Sequence, residues 1–347
     1  MEEKSVLKTH GKGSLYLFSA LAAALGSQAA QAACSTYPTG TAAQVESSAL
    51  DSIFGATPKP SHPLHFAYIT KTLINQFWQD AAAGAKAEAQ KNGITLSVQA
   101  AQDESSMMQQ LNLGQTMLSQ KPDALLLSPE SDTNLEPVIA AARAANIPTV
   151  VIDDARSAGA SSYIGTDQEA IGAKAAIFLH DANPNGGDVA QIEGMAGSPN
   201  ARARMKGFRD QLGKYPNLHL VASQPGNWDR LTAMNATTNI LRQHPALVGI
   251  YANNDGMALG VYEAVKDASA AGKVAVVGTD GIPEAQASIA NGQMRATVAE
   301  FPIEEGKLGV DVALRLIACQ AIPAWVVSPN VVMTKANVAQ YQLPKAP

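Results

Sequence analysis

From residue 64 onward the chain alternates short apolar runs with longer Ala-rich segments, and no other feature limits its fold so narrowly. The runs are "LHFAYIT" (64–70), "ITLSVQAA" (94–101), "ALLLSP" (124–129), "TVVIDD" (149–154), "YIGTD" (163–167), "DVAQIEG" (188–194), "HLVASQP" (219–225), "LVGIYANND" (247–255), "VAVVGTDG" (274–281) and "MRATVAE" (294–300). Most are apolar on both faces, which suits strands of a sheet covered on both sides. The intervening segments, such as "QDAAAGAKAEAQKNG" (79–93), read as amphipathic helices, with Gly93 where a helix C-cap is expected. Strands separated by helices predict an α/β fold with doubly wound parallel sheets. There are too many strands for one compact unit, and a length of 347 residues accommodates two domains of about 130 to 150 residues each.

The N-terminal stretch has a different character. Lys4, Lys8 and Lys12 precede the apolar "LYLFSALAAAL" (15–25), and in "GSQAAQA" (26–32) Ala30 and Ala32 flank Gln31. A basic start, a short apolar stretch and an A-x-A site predict an export signal over residues 1–32, cleaved near Ala32, and a periplasmic mature protein. The apolar stretch falls short of the roughly 20 residues that a membrane-spanning helix needs. Residues 33–61, rich in Ser, Thr, Ala and Pro, read as a tail or linker. The two cysteines, Cys34 and Cys319, could form a disulfide in an oxidising compartment or remain free thiols; their sequence positions do not decide between these. "QAAC" lacks the aliphatic residue expected three positions before a lipid-modified cysteine.

In doubly wound sheets ligands bind outside the carboxyl ends of the strands. The residues placed there are Thr70 to Trp78, Asp103, Ser128 to Glu130, Asp153, Asp154, Thr166, Asp167, Trp228, Asn253 to Asp255, Asp280 and Glu300. They are mostly hydrogen-bonding groups with a few aromatic rings. Carboxylates accept hydroxyl hydrogens, Asn both donates and accepts, Lys and Arg donate to oxygens, and aromatic faces cover C–H surfaces. Lys71, Asn75, Asp153, Arg204, Asn254 and Asp280 around Phe77, Trp78 and Trp228 would therefore satisfy a sugar or polyol on every side. Each residue also has a plainer reading. Phe77, Trp78 and Trp228 could be packing anchors, Asn254 and Asp280 turn residues, and Arg204 part of a solvated helix face.

Other function classes find less support. A net charge of −5 with scattered Lys and Arg gives no footprint for nucleic acid. The chain contains no G-x-S-x-G, no phosphate-cradling G-x-x-x-x-G-K-[ST] and no H-E-x-x-H. "HPLH" (62–65) has metal-like spacing but lies at a linker exit beside Pro63. "DANPNGGD" (181–188) opens like a calcium loop, yet its twelfth position is Ile192 where a bidentate Glu is needed. No metal site is expected.

Several blocks, in order, carry a family likeness: "KTLINQFW" (71–78), "VVIDD" (150–154), "GMAGSPNARARMKGF" (194–208), "VASQPGNWDRLTA" (221–233), "YANNDGMALG" (251–260), "VVGTDGIPEA" (276–285) and "ATVAEFP" (296–302). From about residue 62 to 335 the chain resembles the exported sugar-binding proteins of ABC importers, of the ribose-binding type, with a first loop of the allose-binding kind. The resemblance implies a type I periplasmic binding protein: two doubly wound parallel-sheet lobes joined by a three-strand hinge near Thr166, Glu300 and Pro329. It divides the chain into a first lobe of 62–166 plus 301–329 and a second of 167–300 plus 330–347. It implies ligand contacts from Lys71, Asn75, Phe77, Trp78, Asp153, Arg204, Trp228, Asn254, Asp280 and the position of Glu300. It further implies no cofactor and no catalytic step, a membrane permease with its ATPase as partner, a chemoreceptor as a further compatible partner, and a monomer. At position 300 the family's usual Gln is replaced by Glu, which removes two donors and adds a charge, and so predicts a shifted ligand preference. Asp154 stands where ribose binders have Arg.

Overall fold

The computed structural model describes Cys34 and residues 43–341. The export signal expected over residues 1–32 lies outside them. Along the chain, the first lobe takes β1 (Val45–Glu46), α1 (Leu50–Phe54), β2 (His65–Thr72), α2 (Gln76–Lys91), β3 (Thr95–Ala101), α3 (Met107–Ser119), β4 (Ala124–Leu127), α4 (Glu136–Ala144), β5 (Thr149–Ile152) and β6 (Ser162–Gly165). The second lobe follows with α5 (Gln168–Ala182), β7 (Gly187–Glu193), α6 (Pro199–Leu212), β8 (Leu218–Pro225), α7 (Arg230–Gln243), β9 (Leu247–Ala252), α8 (Asp255–Asp267), β10 (Ala275–Asp280), α9 (Pro283–Ala290) and β11 (Ala296–Ala299). The chain then returns to the first lobe for α10 (Pro302–Ile317) and β12 (Trp325–Val327), and leaves it again for β13 (Val331–Thr334).

Two sheets result: a seven-stranded one in the order β1-β12-β6-β5-β4-β2-β3, and a six-stranded one in the order β13-β11-β10-β9-β7-β8. All pairings are parallel except β11 with β13. The chain passes from one sheet to the other after β6, after β11 and after β12.

Successive strand residues feed opposite faces, as the pleat requires. In the first sheet Phe66, Tyr68, Leu126 and Ile152 join one core with α10, whereas Ala67, Ile69, Leu127 and Val151 join another with α4. In the second, Ile192, Ile250 and Val276 pack on one side and Val189, Tyr251 and Val277 on the other. Each large aliphatic side chain removed from water contributes roughly 1.5–3 kcal/mol, so two covered faces per sheet supply most of the driving force. This is the physical content of the doubly wound α/β class.

The expectation that residues 33–61 form only a tail or linker needs correction for the part described. β1 adds a parallel edge strand beside β12, with Val45 opposite Val326. Leu50 of α1 is buried in the core under α10. The buried Arg315 guanidinium donates to Asp51 Oδ1 at 2.5 Å and to the Gly55 carbonyl at 2.9 Å. A composition dominated by Ser, Thr, Ala and Pro hid a two-residue strand, which has no periodicity to read.

Cys34 and Cys319 are bridged, with Cα atoms 5.8 Å apart and 285 residues of sequence between them. The bridge ties the start of the described chain to the end of α10. Cys319→Ser is expected to lower unfolding stability by about 2–4 kcal/mol. Denaturant titration with and without reductant checks this: the untreated protein should lose a similar amount on reduction, while a variant and a reduced protein as stable as the oxidised one would show the tether to be passive.

Among the described residues no helix is long and apolar enough to cross a membrane, and no group of three or more His, Cys, Asp or Glu is arranged to hold a metal ion.

Candidate functional site

Parallel strands point their carboxyl ends one way, so the loops after β2, β3, β5, β9 and β10 gather polar side chains where the two lobes face each other. One cleft there is lined by Lys71, Asn75, Phe77, Trp78, Glu104, Asp153, Asp154, Asn200, Arg204, Trp228, Asn254 and Asp280. The lobes meet closely. The cavity between them measures about 20 Å³, which is room for about one water. A wider groove of about 450 Å³ opens beside it, sharing Asn75, Glu104, Trp228 and Asn254.

On the first-lobe side, Lys71 is the last inward-facing residue but one of β2 and is 1 % exposed. Its ammonium pairs with Asp154, lies 3.8 Å from Glu104 Oε2 and sits 5.3 Å from the centroid of the Trp78 ring. Burial pulls the Lys71 pKa down, and Glu104 and Asp153 oppose the fall. Glu130, in the field of Lys71, has no hydrogen-bond partner for either buried carboxylate oxygen, and burial pushes it up to about 7. Asn75 caps α2 by accepting from the Phe77 amide at 3.1 Å and donates to Glu104 Oε1 at 2.8 Å. That cap starts the helix and so fixes the two rings that follow. Phe77 and Trp78 stack edge to face with centroids 4.8 Å apart, and the Trp78 indole N–H donates to Glu104 at 3.3 Å.

On the second-lobe side, α6 begins at its Ser198 cap and carries Asn200 and Arg204 one turn apart. Its position is set by close packing on α5: a Cβ added at Gly172 would lie 2.0 Å from the Arg204 carbonyl, and one at Gly207 would lie 1.9 Å from the Glu169 carbonyl. Arg204 Nε donates to Gln168 Oε1 and Nη1 to the Asn253 carbonyl, both at 2.7 Å, with Asp280 Oδ1 at 3.5 Å and Glu300 on Nη2. Burial lowers the guanidinium pKa, but Glu300 and Asp280 outweigh it and the net shift is upward. Asn254 caps α8 through the Met257 amide at 2.9 Å. Trp228, half-buried, lies flat on Gly194, where an added Cβ would come within 2.2 Å of the indole.

Four lining residues hold backbone conformations that non-glycine residues rarely adopt: Asp153 at φ 53°, Asp154 at 59°, Trp228 at 63° and Asp280 at 123°. Such conformations cost of order 1–3 kcal/mol each and persist where the surrounding structure imposes them, commonly at ligand sites.

The lobes also touch directly. Asn200 Nδ2 donates to both oxygens of Asp153 at 3.1 Å, Gln168 Nε2 donates to Asp153 Oδ1 at 3.1 Å, and Arg202 pairs with Asp132 at 2.5 Å. Burial raises the pKa of Asp153, of Asp280 and of Glu300, in each case against the pull of Arg204.

Nine of the sequence candidates thus come together in the cleft, and Glu300 does not. It is fully buried, and its carboxylate accepts from Thr166 Oγ1 and Gln168 Nε2, both at 2.5 Å, and from Arg204. Its carboxylate sits among protein donors at the point where two chain crossings meet, so a direct ligand contact from this position is not what the geometry offers. Glu104, Asp154 and Asn200 were not singled out as site residues. Asp154 stood in the strand-end group, and Asn200 sits one turn before Arg204 on the same helix, whereas Glu104 follows a β3 that carries no site pattern of its own.

Comparisons with known proteins fit this arrangement. The profile of the periplasmic binding protein domain matches residues 66–321. The chain is 39% identical over 254 residues to the D-allose-binding periplasmic protein of Escherichia coli, covering 71% of this chain and 82% of that one. It is 32% identical over 243 residues to the ribose import binding protein RbsB of Bacillus subtilis, covering 70% and 78% respectively. Among solved structures, an ABC transporter periplasmic solute-binding protein from Actinobacillus succinogenes with bound D-allose superposes with a TM-score of 0.77 at 35% identity, covering 80% of this chain and all of that one.

Proposed function

The chain belongs to the periplasmic binding protein domain family, and on that premise we propose that it is exported to the periplasm, its signal removed near Ala32, and there captures a neutral monosaccharide or polyol between its lobes. It hands the closed complex to a membrane permease driven by a separate ATPase. No bond is made or broken in this process. The observation that carries the reading is the cleft itself: hydroxyl-binding groups from both lobes converge with two indoles and a phenyl ring in one place.

Entry requires the lobes to part, because the enclosed space admits about one water. The bonds from Asn200 and Gln168 to Asp153 then exchange for bonds to the ligand. A ligand that reaches both lobes makes its full set of contacts only when they close again, so binding shifts the population toward closure. The crossings after β6, β11 and β12 form the hinge in this reading.

Charge narrows the ligand class. Glu104, Asp153, Asp154, Asp280 and Glu300 surround only Lys71 and Arg204. Sugar acids and sugar phosphates would add charge of the sign already in excess and are expected to be rejected. A second reading, an amino sugar, is favoured by that same excess of carboxylates.

Titration calorimetry with D-allose, D-ribose, polyols, glucosamine, glucuronate and glucose 6-phosphate tests this. Neutral sugars or polyols should bind and the anions should not. Glucosamine binding more tightly than any neutral compound would decide for the second reading, and tight binding of an anion would refute the charge argument. Absence of binding throughout, or turnover of a sugar, would overturn the proposal.

A further inference from the structure

The buried carboxylate that begins α8 belongs neither to the cleft lining nor to any exposed surface, yet it joins two of the loops that build the site. Asp255 follows Asn254 directly, and its Oδ2 accepts from the amides of Gly281 at 2.7 Å and Ile282 at 3.1 Å. Those amides immediately follow Asp280. The bend they belong to is unusual: Asp280 has φ 123° and Gly281 φ 80°. Asp255 also covers the strand leading into it, since a Cβ at Gly278 would lie 2.1 Å from Asp255 Oδ1.

We propose that Asp255 is the positioning residue for Asp280: it clamps the β10–α9 bend from behind and so aims the Asp280 carboxylate into the cleft beside Arg204. The proposal rests on the cleft being the ligand site and adds to it a residue that touches no ligand. A backbone held at positive φ relaxes when nothing imposes it. Two hydrogen bonds to a buried carboxylate oxygen impose it here.

The clamp needs an acceptor at Oδ2 and does not need a charge. Oδ1 and the Thr297 hydroxyl beside it both lack a hydrogen-bond partner. Burial moves the Asp255 pKa up to about 7, so the neutral acid is accessible. An asparagine keeps the acceptor for the two amides and can offer its N–H to Thr297, whereas alanine offers nothing.

Asp255→Ala is therefore expected to weaken binding of D-allose or D-ribose, whichever binds the unaltered protein, by about tenfold or more. Asp255→Asn should remain within about threefold. In an Asp280→Ala background Asp255→Ala should add little further loss, because its target is already gone. Hydrogen exchange gives a readout independent of any ligand: the Gly281 and Ile282 amides should lose protection in the alanine variant and keep it in the asparagine variant. Equal losses from the two substitutions, additivity with Asp280→Ala, or unchanged protection in Asp255→Ala would each overturn the assignment. Failure of every sugar to bind the unaltered protein, with the exchange pattern as expected, would instead count against the sugar reading and leave the clamp standing.

Discussion

Arg204→Met should lower the stability of the protein by about 3–5 kcal/mol near neutral pH and abolish sugar binding, the largest effect expected of any single substitution in the cleft. The guanidinium faces Glu300, Asp280, Gln168 and the Asn253 carbonyl, all buried. Without it, carboxylates whose pKa values burial already raises have no nearby cation. Their folded-state pKa values lie above the unfolded ones, so as pH rises the unfolded chain releases these protons first. Stability is then present below about pH 4 and is lost progressively as pH climbs through the folded values. Denaturant midpoints for the variant should accordingly fall more steeply between about pH 5 and pH 7.5 than those of the unaltered protein. Adding Glu300→Gln to Arg204→Met should recover part of the loss by removing one buried charge. A variant as stable as its parent at neutral pH would mean that the arginine does not neutralise this cluster.

Trp228→Ala is expected to weaken binding about 30- to 150-fold, corresponding to roughly 2–3 kcal/mol, with little change in unfolding midpoint. The indole lines both the closed cleft and the wider groove beside it, and it is half-buried rather than part of either core. Its loss removes an apolar face from the C–H surface of a ring while leaving the polar contacts in place. Both residues at this position are non-glycine, so the backbone strain at φ 63° is common to both. Calorimetry against the best-binding sugar reads the effect. An affinity within about threefold would show that the ring shields the groove rather than the ligand.

Much of the architecture was legible because a parallel sheet covered on both faces leaves a distinctive trace. "LHFAYIT" supplies Phe66 and Tyr68 to one core and Ala67 and Ile69 to the other, and a helix of opposite character follows each such run. The rule that strand ends hold the site then located most of the cleft. What it could not supply was the direction of each side chain. Asn75 and Asn254 double as helix caps, so the plainer reading of Asn254 as a local structural residue also describes what its side chain does. Glu300 occupies a strand end as expected, but its neighbours Thr166, Gln168 and Arg204 claim its carboxylate, and no spacing in the sequence announces a partner 132 residues away. Glu104 escaped notice because a lone acidic residue after a half-exposed strand carries no pattern. The Cys34–Cys319 bridge was undecidable for the same reason: proximity across 285 residues is a property of the fold.

The order in which the chain is laid down bears on when it can fold. Half of the first lobe's larger core waits for Val310, Leu314, Leu316 and Val326, and its sheet lacks a neighbour for β6 until Trp325–Val327 arrive. The disulfide partner of Cys34 comes only at Cys319. A growing chain therefore carries an unfinished leading lobe through almost its whole synthesis, sealed at last by one of its final helices. For a protein that must be exported, a late-closing lobe keeps the nascent chain threadable for as long as possible.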